Sequence, residues 1–217
     1  MSNTIQAVIW DLDGVIIDSG EEHRQAWYRM TKEEGLSLTD GQFWSTFGQR
    51  NDAIIQKLWG PLTPERVKVL ADLKEQYFRE AISKTAAPLP GAIELLSALH
   101  DAGYPQALAS SAPVANIELI SDVLRLDRYL NALVSGETVP HGKPAPDIFL
   151  KAAERLGVKP EYSLVIEDAV AGVEAAHAGG MRCIAVAGDR DLAGLRAAEL
   201  MVKSLTEVSV EQIRELA

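Results

Sequence analysis

The chain has 217 residues, of which 47% are hydrophobic and 24% are charged, a composition typical of a folded globular protein. Its 21 basic and 31 acidic residues give a formal net charge of −10, which removes any electrostatic basis for binding nucleic acid or an anionic membrane surface. The single cysteine, Cys183, excludes an internal disulfide, and no stretch approaches the roughly 18 apolar residues of a membrane span. We therefore expect a cytoplasmic protein that binds neither nucleic acid nor membranes.

The predicted elements begin with a buried strand over residues 5–10, which is apolar and β-branched. From residue 18 onward the apolar residues follow helical spacing, and glycines divide the region into several helices without a strand. From residue 87 onward strands alternate with amphipathic helices, the signature of a parallel sheet covered by helices. The predicted strands there are 106–110, 132–135, 164–167, 182–187 and 200–202, and the predicted helices are 92–102, 114–126, 146–156 and 169–178.

This order of elements predicts an α/β fold with a Rossmann-like parallel sheet core and an inserted small α-helical cap domain. We assign residues 1–17 and 87–217 to the core and residues 18–86 to the cap. The connections between the two, near residues 17–20 and 84–90, are the expected hinges.

Polar residues follow several of the predicted strands. In an open parallel sheet a ligand binds beyond the carboxyl ends of the strands, so these residues are expected to share one pocket. They are Asp11 and Asp13 after the first strand, Ser110 and Ser111 at the second, Lys143 after the third, and Glu167 and Asp168 at the fourth.

The carboxylates in this set predict a metal site. Asp11 and Asp13, two apart on extended backbone, point to the same side, where they share a cation or a proton. Such a pair is also common in solvated turns, but Asp168 at the same edge favours a site. Clustered carboxylates repel one another unless a divalent cation lies among them, and ligands that are all oxygen favour Mg²⁺ over zinc.

The remaining polar residues suit an anion. Lys143 precedes Pro144, which restricts the backbone, so its ammonium is expected to be aimed into the pocket, although a lone lysine is commonly a solvated surface charge. Ser110 and Ser111 either cap the following helix or hold an anion at its N-terminus, and the two roles are compatible. A carboxylate, a second carboxylic acid, Mg²⁺, a lysine and a hydroxyl together favour phosphoryl transfer to an aspartate.

At these residues the sequence resembles the haloacid dehalogenase superfamily of phosphatases and phosphomutases. Residues 8–15, Val-Ile-Trp-Asp-Leu-Asp-Gly-Val, are similar to its first motif, and Ser110, Lys143 and Glu167-Asp168 stand in the order of the other three. The resemblance implies that Asp11 attacks phosphorus, while Asp13 protonates the leaving oxygen and then activates the second nucleophile.

The resemblance also implies the binding residues of the core. Ser110 and Lys143 would bind the transferring phosphoryl group. Mg²⁺ would be held by Asp11, the backbone carbonyl of Asp13 and Asp168, with Glu167 near or in the coordination shell.

The helical insert is similar to the cap of the subgroup that contains β-phosphoglucomutase. Arg50 aligns with a cap arginine that holds the non-reacting phosphate of a sugar bisphosphate, and His23 aligns with a hinge histidine that couples the leaving hydroxyl to the acid. An arginine on the surface and a structural histidine are the alternatives. Ser19 and the pair Ala112-Pro113 depart from the mutase pattern. We expect the cap tryptophans Trp27, Trp44 and Trp59 to pack in its core.

These observations predict a Mg²⁺-dependent phosphatase that hydrolyses a small-molecule phosphate ester, with sugar phosphates as the expected class, as a monomer. The alternative is a β-phosphoglucomutase-like phosphosugar mutase, in which a sugar hydroxyl instead of water attacks the phosphoenzyme. A non-catalytic phosphate-binding protein of the same fold would be marked by a lost nucleophile, and Asp11 is present. A receiver domain would have no helical insert.

Overall fold

The computed structural model describes residues 4–189 and 193–216. Within these ranges, parallel strands form a 6-stranded sheet in the order β3-β2-β1-β4-β5-β6. The strands are β1 (Ala7–Trp10), β2 (Gln106–Ser110), β3 (Ala132–Ser135), β4 (Ser163–Glu167), β5 (Arg182–Val186) and β6 (Leu200–Val202). The predicted strands are confirmed, with small shifts at their ends.

Helices surround this sheet and fill the segment between β1 and β2. They are α1 (Gly20–Glu33), α2 (Asp40–Trp44), α3 (Asn51–Trp59), α4 (Pro64–Thr85), α5 (Ala92–Asp101), α6 (Val114–Leu124), α7 (Asp147–Leu156), α8 (Val170–Ala178) and α9 (Val210–Glu215). A parallel sheet surrounded by helices confirms the α/β class predicted from the alternating pattern. None of the described helices combines the length and the hydrophobicity needed to cross a membrane.

The sheet is apolar on both faces because helices cover both. Successive side chains of a strand point to opposite faces, so Val8 and Trp10 enter one apolar cluster and Ile9 enters the other. The first cluster includes side chains of α5 and α6, and the second includes side chains of α7 and α8. Cys183 is fully buried in the second cluster, in agreement with a structural thiol.

The helices between β1 and α5 pack on one another. α1 lies along α4, and Trp27 and Phe78 are among the side chains buried between them. Trp59 is partly buried and donates its indole N–H to the carbonyl of Ser37 over 3.0 Å. The expectation that all three cap tryptophans lie in this core is wrong for Trp44, which is 55% exposed at the end of the short α2.

Two crossings join these helices to the sheet, and they lie side by side. Ile17 forms an antiparallel bridge with Pro88, and the Leu89 amide donates to the Ile16 carbonyl over 2.8 Å. Both crossings fall in the segments expected as hinges. The site described next lies where these helices face the strand ends.

Candidate active site

The register of the sheet brings the predicted site residues to one edge. Trp10 of β1 pairs with Ile166 of β4, so the residues that follow them, Asp11 and Glu167, emerge side by side. β2 lies on the other side of β1 and ends at Ser110. The carboxyl ends of these strands therefore form one wall of a shared site, as the sequence predicts.

Lys143 connects the first and fourth motifs. Its Nζ donates to Asp11 Oδ1 and to Glu167 Oε1, each over 2.5 Å, and all three side chains are buried. Burial raises the pKa of Asp11 well above its usual value; the Lys143 ammonium opposes this shift, and Glu167 and Asp168 add to it. Burial by itself would lower the pKa of Lys143, but the carboxylates of Asp11 and Glu167 outweigh it and raise that pKa. The ammonium is aimed into the site and is not a solvated surface charge.

Three buried carboxylates lie close enough to share a cation. Asp11, Glu167 and Asp168 each offer an oxygen, and these oxygens all lie within 4.8 Å of one another. Gly14 makes room for Asp168, because a Cβ at Gly14 would lie 2.1 Å from Asp168 Oδ2, and its φ of +82° is a conformation that glycine adopts readily. The donor set is all oxygen, and the three carboxylates lie close together at one buried edge of the sheet. Both features suit a hard divalent cation such as Mg²⁺.

The Asp13 side chain contacts the beginning of the helical insert. Its Oδ1 accepts hydrogen bonds from the Ser19 hydroxyl and from His23 Nε2, the latter over 3.3 Å. Burial by itself would raise the pKa of Asp13, but the hydrogen bonds that it accepts from His23 and Ser19 outweigh burial and lower that pKa. Asp13 lies outside the group of three close carboxylates, so the two aspartates of the first motif have different partners.

His23 is held by a buried lysine that the sequence reasoning missed. Lys74 Nζ lies 2.7 Å from His23 Nδ1 and donates to Glu75 Oε1 over 2.7 Å. Because an ammonium only donates, Nδ1 accepts, and the neutral ring carries its proton on Nε2, which therefore donates to Asp13. The ring also stacks on Phe78, with centroids 3.9 Å apart and planes at 10°.

Glu75 links the insert to the core. Its Oε1 accepts from Asn51 Nδ2 over 2.6 Å, and its Oε2 accepts from the side-chain amide of Asn116 in α6. Burial alone would raise the pKa of Glu75, but the charge of Lys74 and the hydrogen bonds from Lys74 and Asn51 lower it to about 2. The carboxylate is therefore ionised at neutral pH.

A signal for this buried pair was present in the sequence. Lys74 stands four residues after Leu70 and four before Phe78, both of which belong to the apolar stripe of α4. A charged residue in line with such a stripe is buried once the helix packs, and a buried charge requires partners. The apolar stripe by itself predicts the buried face of α4 but assigns no partner to the charge within it.

Arg50 lies at the seam between the insert and the loop that carries Lys143. Its guanidinium donates twice to the Asp52 carboxylate, over 3.2 and 3.0 Å, and once to the Val139 carbonyl over 3.3 Å. A Cβ at Gly142 would lie 2.7 Å from Arg50 Cδ, so the glycine permits this contact. Arg50 is thus held against the core and lines the cleft beside it.

Ser110 is the last residue of β2 and Ser111 follows it, and neither side chain caps α6. Ser110 is buried, and its hydroxyl accepts from the Ala112 amide over 3.1 Å. The residue before α6 is Pro113, and the first helical amide, of Val114, donates to Glu137 Oε2 over 2.9 Å. The capping alternative is therefore wrong for Ser110 and Ser111.

Two adjoining cavities lie between the insert and the strand ends. The smaller, about 50 Å³, is lined by residues that include Asp13, His23 and Glu75. The larger, about 820 Å³, is lined by residues that include Arg50 and Glu75. Both are also bounded by Asn51, Ser111 and Pro113, so they adjoin at these residues.

Comparison with known proteins agrees with this geometry. The family model for haloacid dehalogenase-like hydrolases matches residues 5–180. Fructose-1-phosphate phosphatase YqaB of Escherichia coli is 33% identical over 82% of this chain and 95% of its own. The solved β-phosphoglucomutase of Clostridium difficile superposes with a TM-score of 0.87 at 26% identity, covering 98% of this chain and 96% of that one.

Some relatives are longer than this chain. The chloroplastic 5-amino-6-(5-phospho-D-ribitylamino)uracil phosphatase of Arabidopsis thaliana is 31% identical over 96% of this chain. This chain spans 57% of that protein and 18% of a second chloroplastic relative from the same plant.

Proposed function

The chain belongs to the haloacid dehalogenase-like hydrolases, and from that premise we propose that it is a Mg²⁺-dependent phosphatase of small phosphate monoesters, with sugar phosphates as the expected class. The observation that carries the proposal is the pairing of two aspartates in different surroundings. Asp11 is bound by Lys143 beside two further carboxylates, whereas Asp13 is bound by His23. One is suited to attack and the other to proton transfer.

In this proposal the residues form two domains around the site. Residues 1–17 and 87–217 are the core, and residues 18–86 are the cap. The packing of α1 on α4 and the adjacent crossings at Ile17 and Pro88 support this division. Substrate would enter the cleft between cap and core, where Arg50 and Glu75 face the strand ends.

Asp11 and Asp168, with the backbone carbonyl of Asp13 and with Glu167 near or in the shell, would hold the Mg²⁺ ion. Their oxygens fit a hard cation, and the close approach of three buried carboxylates favours one. When bound, the ion offsets the charge of the carboxylates and the phosphate, so that an anionic ester can approach an anionic nucleophile.

The reaction would proceed in two displacements. Asp11 forms a bond to phosphorus as the bond from phosphorus to the ester oxygen breaks, and Asp13 gives a proton to the departing oxygen. Asp13 then takes a proton from water, whose oxygen attacks phosphorus and releases Asp11 and inorganic phosphate. Lys143 and Ser110 would bind the phosphoryl oxygens. The ammonium already lies 2.5 Å from Asp11 Oδ1, the position that the phosphoryl group must approach.

The phosphosugar mutase is the second candidate. The superposition on β-phosphoglucomutase and the contact between His23 and Asp13 favour it. The phosphatase is favoured by the relative YqaB and by Arg50, whose guanidinium is already bound by Asp52. The two differ in whether water or a sugar hydroxyl attacks the phosphoenzyme.

Phosphate release from a panel of sugar phosphates, with and without Mg²⁺, tests the proposal. The panel includes β-glucose 1-phosphate with a trace of glucose 1,6-bisphosphate, with glucose 6-phosphate as a second readout. We expect Mg²⁺-dependent phosphate release that Asp11→Asn abolishes. Glucose 6-phosphate formed without phosphate release would establish the mutase instead, and wild-type turnover in Asp11→Asn would exclude the aspartyl-phosphate mechanism.

A further inference from the structure

The Glu75 carboxylate lines the cleft, yet the proposed chemistry gives it no role. It lines both the small cavity beside Asp13 and the wide cleft beyond it, and it is 4% exposed. The leaving oxygen must lie within reach of Asp13. A leaving group that extends from that oxygen into the wide cleft therefore passes Glu75.

The polar groups around Glu75 have hydrogen-bonding capacity left for a ligand. A carboxylate accepts about four hydrogen bonds. Glu75 Oε1 accepts from Lys74 and Asn51, and Oε2 accepts from Asn116, which leaves one position on Oε2. The side-chain oxygen of Asn51, Oδ1, and the side-chain amide of Gln49 have no hydrogen-bond partner within residues 4–189 and 193–216. Both residues line the small cavity. This surface combines donors and acceptors, as hydroxyl groups do.

The charges of the cleft do not favour a second phosphate group. The wide cleft is lined by three basic residues, Arg50, Lys68 and Arg79, and by four acidic residues, Asp52, Asp72, Glu75 and Glu137. The first two basic side chains are paired with Asp52 and Asp72. A second phosphate would need surplus cations, and the buried charge of Glu75 would repel it.

We propose that Glu75, with Asn51 and Gln49, forms the subsite for the leaving group, and that this group is an uncharged polyhydroxylated chain, a polyol or sugar, without a second phosphate. The inference rests on the proposed phosphatase function and adds its substrate class. In this subsite Glu75 accepts a hydrogen bond from a substrate hydroxyl, and the two amides bind neighbouring hydroxyls.

A competing role for Glu75 is purely structural. It holds Lys74, which holds His23 against Asp13, so its loss also affects proton transfer. Two alkyl phosphates with similarly poor leaving groups separate these roles. Sorbitol 6-phosphate carries hydroxyls along its chain and n-butyl phosphate has none, yet both need the same protonation of the leaving oxygen.

The experiment measures kcat and KM for sorbitol 6-phosphate, n-butyl phosphate and fructose 1,6-bisphosphate with Mg²⁺ present. The variants are Glu75→Gln and the milder Asn51→Ala, with thermal unfolding recorded for each. Glu80→Gln is the matched control, because it makes the same change in α4 at an exposed residue that pairs with Arg29. If Glu75→Gln does not fold, Asn51→Ala tests the subsite alone.

We expect the wild type to prefer sorbitol 6-phosphate over both other esters by about tenfold or more in kcat/KM. Glu75→Gln and Asn51→Ala should lose about tenfold more activity on sorbitol 6-phosphate than on n-butyl phosphate, mainly through KM, and Glu80→Gln should keep the wild-type ratio. Equal losses on the two alkyl esters, or a wild-type preference for the bisphosphate, would overturn the subsite while leaving the phosphatase intact. Absence of phosphate release from every ester would instead overturn the proposed function.

Discussion

Asp11 and Asp13 stand two residues apart, yet their surroundings move their pKa values in opposite directions. Asp11 is buried beside Glu167 and Asp168, and its pKa is raised. Asp13 accepts hydrogen bonds from His23 and Ser19, and its pKa is lowered. Environment thus gives two chemically identical side chains different partners. The pKa directions themselves oppose an ionised Asp11 and a protonated Asp13, and a cation bound among the carboxylates would counteract the rise in the pKa of Asp11.

The proposed role of Asp13 predicts a dependence on the leaving group. Asp13→Asn removes the proton donor, so an alkyl phosphate such as sorbitol 6-phosphate should lose about 10²-fold or more in kcat/KM, which reports the first displacement and not the later attack of water. The p-nitrophenolate of p-nitrophenyl phosphate departs without protonation, so kcat/KM for this ester should fall by about tenfold or less. Steady-state kinetics of both substrates in the same preparation measure the difference. Equal losses on the two esters would exclude a general-acid role.

Glu75 should make stability depend on pH. Its pKa in the folded protein, about 2, lies below the ordinary value of 4.5, so its contribution to the free energy of unfolding is fully present above pH 4.5 and declines as pH falls towards 2. Glu75→Gln should therefore lower the free energy of unfolding by about 2–3 kcal/mol at pH 7, and by progressively less below about pH 5.

Urea unfolding of the wild type and Glu75→Gln between pH 4 and 7 measures this change. Exposed Glu80, which pairs with Arg29 at the surface, is the matched position for a Glu→Gln control. A difference between wild type and Glu75→Gln that stays constant over this pH range would contradict the assignment.

At the scale of the element, α4 contributes apolar side chains to the packing of the helical insert and also buries two charged residues. Leu70, Phe78 and Ile82 lie on its buried face, and Lys74 and Glu75 are buried among them. The Lys74 ammonium lies 5.2 Å from the centroid of the Phe78 ring, which adds a cation–π contact to its ion pair. A helix that looks amphipathic in sequence thus holds buried charged groups on its apolar face.

Loss of the buried lysine should be costly. Lys74→Met leaves Glu75 as a buried charge without its ion-pair partner, and we expect a loss of about 3–5 kcal/mol in the free energy of unfolding. Lys68→Met is the control on the same helix, because Lys68 pairs with Asp72 at an exposed position, and it should change stability by about 0.5 kcal/mol or less. Chemical denaturation of both variants measures the contrast, and similar values for the two would refute it.

At the scale of the whole molecule, the helices between β1 and β2 contact the sheet, its loops and α6 through polar side chains at the cleft. His23 contacts Asp13, Glu75 contacts Asn116, and Arg50 contacts the Val139 carbonyl. These contacts join the proposed leaving-group side of the site to the proposed nucleophile side. In the proposed mechanism turnover needs both sides, so it would depend on these contacts as well as on each side alone.

Mg²⁺ should stabilise the folded protein, since the three close carboxylates exist only after folding. At a concentration 100 times its Kd, a ligand that binds only the folded state adds about 2.7 kcal/mol, which for a chain of this size raises Tm by several degrees. Thermal unfolding with Mg²⁺ and with EDTA measures the shift. Asp168→Asn should abolish it, and Asp101→Asn, an exposed acidic position, should retain it.

If Mg²⁺ raised the Tm of Asp168→Asn as much as that of the wild type, the ion would bind elsewhere.

The sequence alone determined the fold class and the residues at the strand ends. Alternating apolar strands and amphipathic helices fold into a parallel sheet, and such a sheet brings its carboxyl ends together, so Asp11, Lys143 and Glu167 meet as predicted. These outcomes follow from local periodicity, which can be read from the sequence, and from the right-handed connections that parallel strands generally adopt.

Only the tertiary structure decided the partners of Asp13 and the polar lining of the cleft. The contact of His23 with Lys74 joins residues 51 apart in sequence, and it depends on how α1 packs along α4. Periodicity indicates which face of a helix is buried, but not which side chain of another helix it meets. The Lys74–Glu75 pair and its bonds to Asn51 therefore required the packed structure, because distance between helices is not written in the pattern of either one.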